Sequence, residues 1–329
     1  MTHARRIGEI DAKILKDLLK DGRKKFTEIA REAHVSKDAI WQHYTNMKKE
    51  GIIVGATIQL NYARLGYNVS ASFFVDTLPQ EQGQAIEQLR KIPGLYDAYR
   101  WGSHSRLWVV SDLMRTDQLE QVTQSIRKLP SVTGLKVEVW TGMRRTPENL
   151  SVLANDKISS DTEKIETQAE NRIEKTADEI DDIDRQIIEK LVVNGRASFS
   201  DIAKKMGIST STVVRRYDDL KRNGIIRAIV QINPLKIGYS FSACFRLKTD
   251  PKWSLANIVE KISKLPDVVG ILKTTGVYDL TIFTSVRNFE HFFALENEIA
   301  NIQDVGEMDT AALNQFPILP HSREHTSTF

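Results

Sequence analysis

Ile183, Ile187, Ile188 and Leu191 lie at helical spacing and Asn194-Gly195 follows, predicting a helix over about 182–193 that stops at a C-terminal glycine cap. Ser200 then caps a short helix through Ile202, Ala203 and Met206. Gly207 breaks that helix, and Ser209 caps a third that runs to about Arg222. The pattern next shifts to alternating apolar pieces, Ile225-Ile226 and Ala228 to Ile232, as a β wing requires. Beyond it come a half-buried strand at Phe241 to Leu247, a helix over 254–264 with Leu255, Ile258, Val259 and Ile262 on one face, and a strand at Val268 to Leu272. A hairpin at Thr275 to Asp279 leads into Leu280 to Phe283; a helix from Phe289 to Ile299 and a strand from about Val305 complete the order βαββαβ, a ferredoxin-like unit.

The same succession occurs earlier, 173 residues upstream. Asp11 aligns with Asp184, Gly22-Arg23 with Gly195-Arg196, Phe26 with Phe199, Ser36 with Ser209, Tyr44 with Tyr217 and Gly51-Ile52-Ile53 with Gly224-Ile225-Ile226. In the first copy the second half reads as Val69 to Val75, Ala85 to Arg90, Leu95 to Trp101, Leu107 to Val110, Leu119 to Arg127 and Leu135 to Trp140. The fold class is therefore α+β, a winged helix-turn-helix plus a ferredoxin-like βαββαβ domain, with the pair occurring twice in tandem. The expected segments are 3–60 and 61–147, an acidic linker at 148–179, then 180–234 and 235–320, and a tail at 321–329. Each βαββαβ sheet has one face for its helices and one apolar face that needs a partner sheet.

Composition adds location and charge. The 329 residues contain one cysteine, Cys244, so no intrachain disulfide forms, which points to a reducing, cytoplasmic setting. The amino end has no apolar signal stretch, and nowhere do about 20 apolar residues run together, so no membrane partner is expected. Net charge is +3, but unevenly spread: residues 1–60 and 180–236 come to about +4 each, and 148–179 to about −5. The linker reads as a polar tether, with Ile158, Ile165, Ile173 and Ile180 leaving a solvated helix possible.

A tight turn between the second and third helices leaves the third helix's N-terminus free to enter a major groove. In the second copy that tip carries Ser209, Thr210, Ser211 and Thr212, followed by Arg215 and Arg216. Hydroxyls and helix N-terminal amides suit phosphates, and arginine can bind guanine through two hydrogen bonds. The first copy offers Lys37, Gln42 and His43 instead, with Asp38 opposing a phosphate: Gln42 suits adenine and His43 a phosphate, so two half-sites of different sequence are expected. Similar three-helix domains also bind only protein.

The stretch from Asp181 to Tyr239, DDIDRQIIEKLVVNGRASFSDIAKKMGISTSTVVRRYDDLKRNGIIRAIVQINPLKIGY, resembles the amino-terminal half of the Lrp/AsnC (feast/famine) transcription regulators. The resemblance implies a DNA-binding regulator, not an enzyme, with double-stranded DNA and a small amino-acid-like effector as partners, and no cofactor. It also implies paired effector domains. One chain then acts as a pseudo-dimer, and whole chains are expected to associate further. Gly276, Tyr278 and Asp279 match the family's Gly-x-x-Asp turn, where backbone amides suit a carboxylate and the aspartate an ammonium; the same residues also make an ordinary β-turn. The aligned Gly102-Ser103-His104-Ser105 lacks the acid.

Two rivals remain on this reading. One is an amino-acid sensor without DNA binding. The other is an enzyme like the sirohaem decarboxylases, which share the two-domain plan, but Gln231-Ile232-Asn233-Pro234 and Gln59-Leu60-Asn61-Tyr62 hold no histidine where that resemblance implies one. Trp101, Trp108 and Trp140 fall on strands and read as packing; Cys244 reads as buried; His321 and His325 lie in a polar tail without the partners a metal site needs. No catalytic or metal-binding residue is expected.

Overall fold

The computed structural model describes residues 5–102, 105–154, 180–250, 252, 254–303 and 305–313. Residues 155–179 of the expected linker, His104 and the histidine-bearing tail lie outside the described residues. The chain forms two compact units, and each draws on both copies of the repeat. One comprises residues 6–66 with 152–154 and 180–233; the other comprises residue 5 with 67–151 and 234–313.

In the first unit, helices α1 (Glu9–Lys20), α2 (Phe26–Glu32) and α3 (Lys37–Lys49) lead into strand β1 (Ile53–Leu60). The second copy supplies α6 (Asp182–Val193), α7 (Phe199–Met206), α8 (Thr210–Arg222) and β6 (Ile226–Ile232). The predicted helix at 182–193 forms with those bounds. α7 begins at Phe199 rather than after Ser200: its N-cap is Ser198, which makes no capping hydrogen bond. Gly207 ends α7 at φ +67°, the left-handed turn that lets α8 start at once. β1 and β6 pair antiparallel, from Ile53 opposite Ile232 to Leu60 opposite Ile226, so the two wings form one ribbon.

Gly195 follows α6 for a reason other than the left-handed cap expected of it. Asn194 is extended (φ −148°, ψ 97°) rather than left-handed, and a Cβ on Gly195 would stand 2.3 Å from the Thr57 carbonyl oxygen. A Cβ on Gly22 would likewise stand 2.5 Å from the Ile229 carbonyl carbon. Each glycine lets its helix-end loop lie against the other copy's strand, where Gly22 N donates to Ala228 O (2.8 Å) and Gly195 N to Ala56 O (2.8 Å).

The second unit contains β2 (Val69–Thr77), α4 (Gln82–Leu89), β3 (Leu95–Trp101), β4 (Arg106–Leu113), α5 (Thr116–Arg127) and β5 (Val132–Arg145) from the first copy. The second copy adds β7 (Phe241–Thr249), α9 (Leu255–Ser263), β8 (Val268–Thr275), β9 (Leu280–Val286), α10 (Phe289–Ala300) and β10 (Val305–Leu313). Both copies keep the βαββαβ order. Their edges also join, β5 to β8 and β10 to β3, closing a barrel in the order β10-β3-β4-β2-β5-β8-β9-β7. Period-2 alternation then sorts each strand's residues. Val69, Ala71, Phe73 and Val75 face α4 and α5, and Ala243, Phe245 and Leu247 face α9 and α10. The other faces bring Phe74 and Trp101 of the first copy against Cys244, Ala311 and Leu313 of the second. Complete burial of a side chain such as Phe73 or Phe245 stabilises by about 1.5–3 kcal/mol.

Candidate nucleic-acid interface and ligand turn

The helix-turn-helix tips are built by their caps. Ser209 Oγ accepts from Thr212 N (3.1 Å) and lies 2.8 Å from the hydroxyls of Ser211 and Thr212; Ser36 Oγ accepts from Ala39 N (3.1 Å) in the first copy. Ser209 is thus committed to ordering the tip, while Thr210 and Ser211 are exposed beside it. Val213, Tyr217 and Leu220 bury one side of α8, which leaves Arg215 exposed on the other, with no ion pair to it among the described residues. On α3 the buried side is Ile40, Tyr44 and Met47, and Lys37 and Gln42 are exposed. Arg215 and Gln42 are equivalent positions of the two copies.

Arg216 and His43, also equivalent, have a different task. Arg216 pairs with Asp181 (2.7 Å) and with the buried Asp184 (3.3 Å). His43 Nδ1 lies 2.7 Å from the carboxylate of Asp11, which is likewise buried. Both side chains fasten the reading helix to the first helix of their own domain. Both were expected to contact DNA; in this structure each is engaged within its own domain, because a cation one turn behind the tip can face inward when the first helix presents a carboxylate to it.

Between the copies, the residue after each glycine forms a clasp. Arg23 Nη1 donates to Gly195 O (2.9 Å) and Ala197 O (3.0 Å), and its guanidinium lies 4.0 Å from the Phe199 ring centroid and 5.3 Å from that of Tyr217. Arg196 reciprocates, donating to Gly22 O, with its guanidinium 4.6 Å from the Phe26 centroid and 5.7 Å from that of Tyr44. Burial lowers both guanidinium pKa values from the ordinary one, and arginine stays charged regardless. Phe199 and Tyr217 belong to α7 and α8, so each clasp arginine touches the other copy's helix-turn-helix directly. A further ion pair, Lys221 to Asp21 (2.8 Å), and Thr57 Oγ1 donating to Val192 O (2.7 Å) add to the contact. The role of the Gly-Arg pair was hidden in the sequence, although its presence in both copies was a signal.

In the barrel unit, Gly276, Tyr278 and Asp279 form the turn between β8 and β9. Asp279 Oδ2 accepts from Thr249 N (2.7 Å) and Thr249 Oγ1 (2.9 Å), which ties the turn to the end of β7. Tyr278 lies with its ring centroid 4.1 Å from the Arg246 guanidinium, and burial raises its pKa. Gly276 has φ +150°, and a Cβ there would meet Glu138 Cγ at 3.0 Å. Arg246 of the second copy and Glu138 of the first form a buried ion pair, with Phe74 under the guanidinium at 4.3 Å. Burial nevertheless holds the Glu138 carboxyl above its ordinary pKa, outweighing Arg246. The turn therefore stands beside a charged pair contributed by both copies. Trp108 and Trp140 each donate Nε1 to Ser72 Oγ at 2.8 Å, and Trp101 is buried, in keeping with packing. Cys244 is fully buried and its thiol pKa is pushed well above the ordinary value, as a packing residue requires.

No helix among the described residues is long and apolar enough to cross a membrane. Family models match three segments: an AsnC-type helix-turn-helix domain at 180–221, a winged helix-turn-helix DNA-binding domain at 8–54, and an Lrp/AsnC ligand binding domain at 242–314. An HTH-type transcriptional regulator of Pyrococcus abyssi is 35% identical over 140 residues, covering 41% of this chain and 86% of that protein. The regulatory protein AsnC of Escherichia coli K12 is 28% identical over 142 residues, covering 43% of this chain and 93% of its own. The solved structure of the siroheme decarboxylase NirDL superposes with a TM-score of 0.63 at 15% identity, over 94% of this chain and 91% of that one, a likeness of fold alone. From its matched domains and its relatives, the chain belongs to the Lrp/AsnC family of DNA-binding transcription regulators.

Proposed function

We propose that one chain presents two unlike readers to one operator and so acts as a built-in pseudo-dimer, which a small amino-acid-like effector regulates. The observation that carries this reading is the reciprocal Gly-Arg clasp, which holds the helix-turn-helix of each copy against the other. Arg215 reads guanine in one half-site and Gln42 reads adenine in the other; Lys37, Thr210, Ser211 and Thr212 contact phosphates. The effector meets the turn at Gly276, its carboxylate on backbone amides and its ammonium on the Asp279 oxygen not taken by Thr249, beside Tyr278. Further association of whole chains would place several operators on one assembly. The likeness to a siroheme decarboxylase supplies a scaffold but no catalytic residues to this reading.

Selection of duplexes from a random pool, followed by titration across a salt series, tests it. Wild type is expected to enrich an asymmetric site. Arg215→Ala should cost about 1–3 kcal/mol at a guanine in one half, and Gln42→Ala a similar amount at an adenine in the other. Amino acids added singly to the same titration should include one that shifts affinity, and Asp279→Ala should abolish that shift. No enrichment, or variants that bind like wild type, would sink the assignment.

A further inference from the structure

The geometry points to Trp41 as a specificity determinant that reads the C5 methyl of a thymine in the half-site facing the first copy. This inference rests on the DNA-binding reading above and goes beyond it. Trp41 is 56% exposed on α3, on the side that carries Lys37 and bordering the buried stripe of Ile40, Tyr44 and Met47. Packing within its own domain accounts for only part of the indole. The ring is nonetheless held in place: its centroid lies 5.7 Å from Phe26 and 6.2 Å from Tyr44, the two rings that Arg196 covers from the other copy. A braced aromatic loses little further side-chain entropy on contact.

The equivalent residue of the second copy is Val214, also exposed, at 36%. Each reading helix thus keeps an apolar residue beside the polar residue assigned to a base edge, Trp41 beside Gln42 and Val214 beside Arg215. Around Trp41 the exposed side is otherwise polar, with Lys37, Lys48 and Lys49 outnumbering Asp38, a basic balance that suits a polyanion. Along the floor of the major groove the apolar feature is the thymine methyl, so an indole entering there finds its favourable contact on thymine. Gln42 selects an adenine edge at the neighbouring position, which makes an A·T-rich step the natural match. The second copy, with the smaller Val214 and with Arg215, takes a guanine-containing half-site in which methyl contact matters less.

The test uses the full chain and the operator enriched from a random pool. Each thymine is replaced in turn by deoxyuridine, which removes the methyl and leaves pairing intact. In the half-site weakened by Gln42→Ala, one replacement is expected to reduce wild-type affinity roughly three- to fivefold, the scale of one buried methyl. The same replacement should have no effect on Trp41→Ala, and should keep its effect on Val214→Ala. Trp41→Phe, which retains the ring packing, should keep a measurable part of it, so that a folding defect in Trp41→Ala cannot imitate the result. The inference is overturned if every replacement is silent in wild type, or equally costly in Trp41→Ala and wild type. If wild type enriches no sequence at all, the DNA-reading proposal fails together with it; enrichment with silent replacements removes Trp41 alone.

Discussion

Tyr217 and Tyr44 lie at equivalent positions beneath the two clasp arginines, and burial pushes both phenols up, Tyr217 to about 12. Arg23 acts in the opposite direction on Tyr217 but is outweighed. A raised folded-state pKa favours the neutral phenol. The stability it contributes is therefore fully present below the unfolded tyrosine value of about 10, and is lost as pH climbs through about 12. Absorbance titration of phenolate should show a component later than the remaining tyrosines, and Tyr217→Phe should delete it; a titration complete within the ordinary range would contradict the buried position. At this scale the sequence conveyed residue type better than direction. Arg215 and Arg216 adjoin each other and look alike as readers, yet one faces out and the other closes on Asp184. The clue was Asp11 and Asp184 recurring in both copies, since a buried carboxylate needs a partner. Trp41 likewise drew no functional expectation, because periodicity alone cannot say how much of an aromatic on a helix stays exposed.

Elements were legible wherever their causes are local. Helical spacing and the Ser209 cap placed α6 and α8 well, and alternation placed the strands, although β5 extends to Arg145, past the Trp140 expected as its end. Gly195 shows where this fails. Its form suits a helix stop, but its physical cause is the Thr57 backbone of the other copy, 138 positions away and outside any local window. Gly195→Ala would set a methyl 2.3 Å from a carbonyl oxygen that is itself fixed in the β1–β6 ribbon, so strand or loop must shift. An overpacking cost of about 1–3 kcal/mol is expected. The variant should melt earlier and bind operator DNA more weakly although no reading residue has changed. Unaltered melting and unaltered affinity would show that the clasp does not govern how the readers are presented.

For the whole molecule, the sequence announced two copies whose apolar sheet faces need each other, but not that the wings would share one ribbon or that the sheet edges would join. Strand pairing between copies depends on which edges are left open, and only the assembled topology decides that. The barrel is closed by β5 on β8, with Val139 opposite Thr275 through Arg145 opposite Gly270, and by β10 meeting β3 at Leu313 and Trp101. Across it, the Glu138–Arg246 pair and the packing of Phe74 and Trp101 on Cys244 and Leu313 join the halves, while β1–β6 and the arginine clasp join the readers. If these contacts hold the copies together, the covalent connection chiefly raises their effective concentration. A protease site placed within 155–179 and cut after folding should therefore leave two fragments that elute as one species and separate only in denaturant. At concentrations well above the dissociation constant of the fragments, the cut protein should bind operator DNA as the intact chain does. On dilution its affinity should fall while that of the intact chain stays constant, because the second reader must then be recruited from solution. Fragments that part on the column at micromolar concentration would mean that the connection, rather than the shared ribbon and barrel, keeps the two readers on one operator.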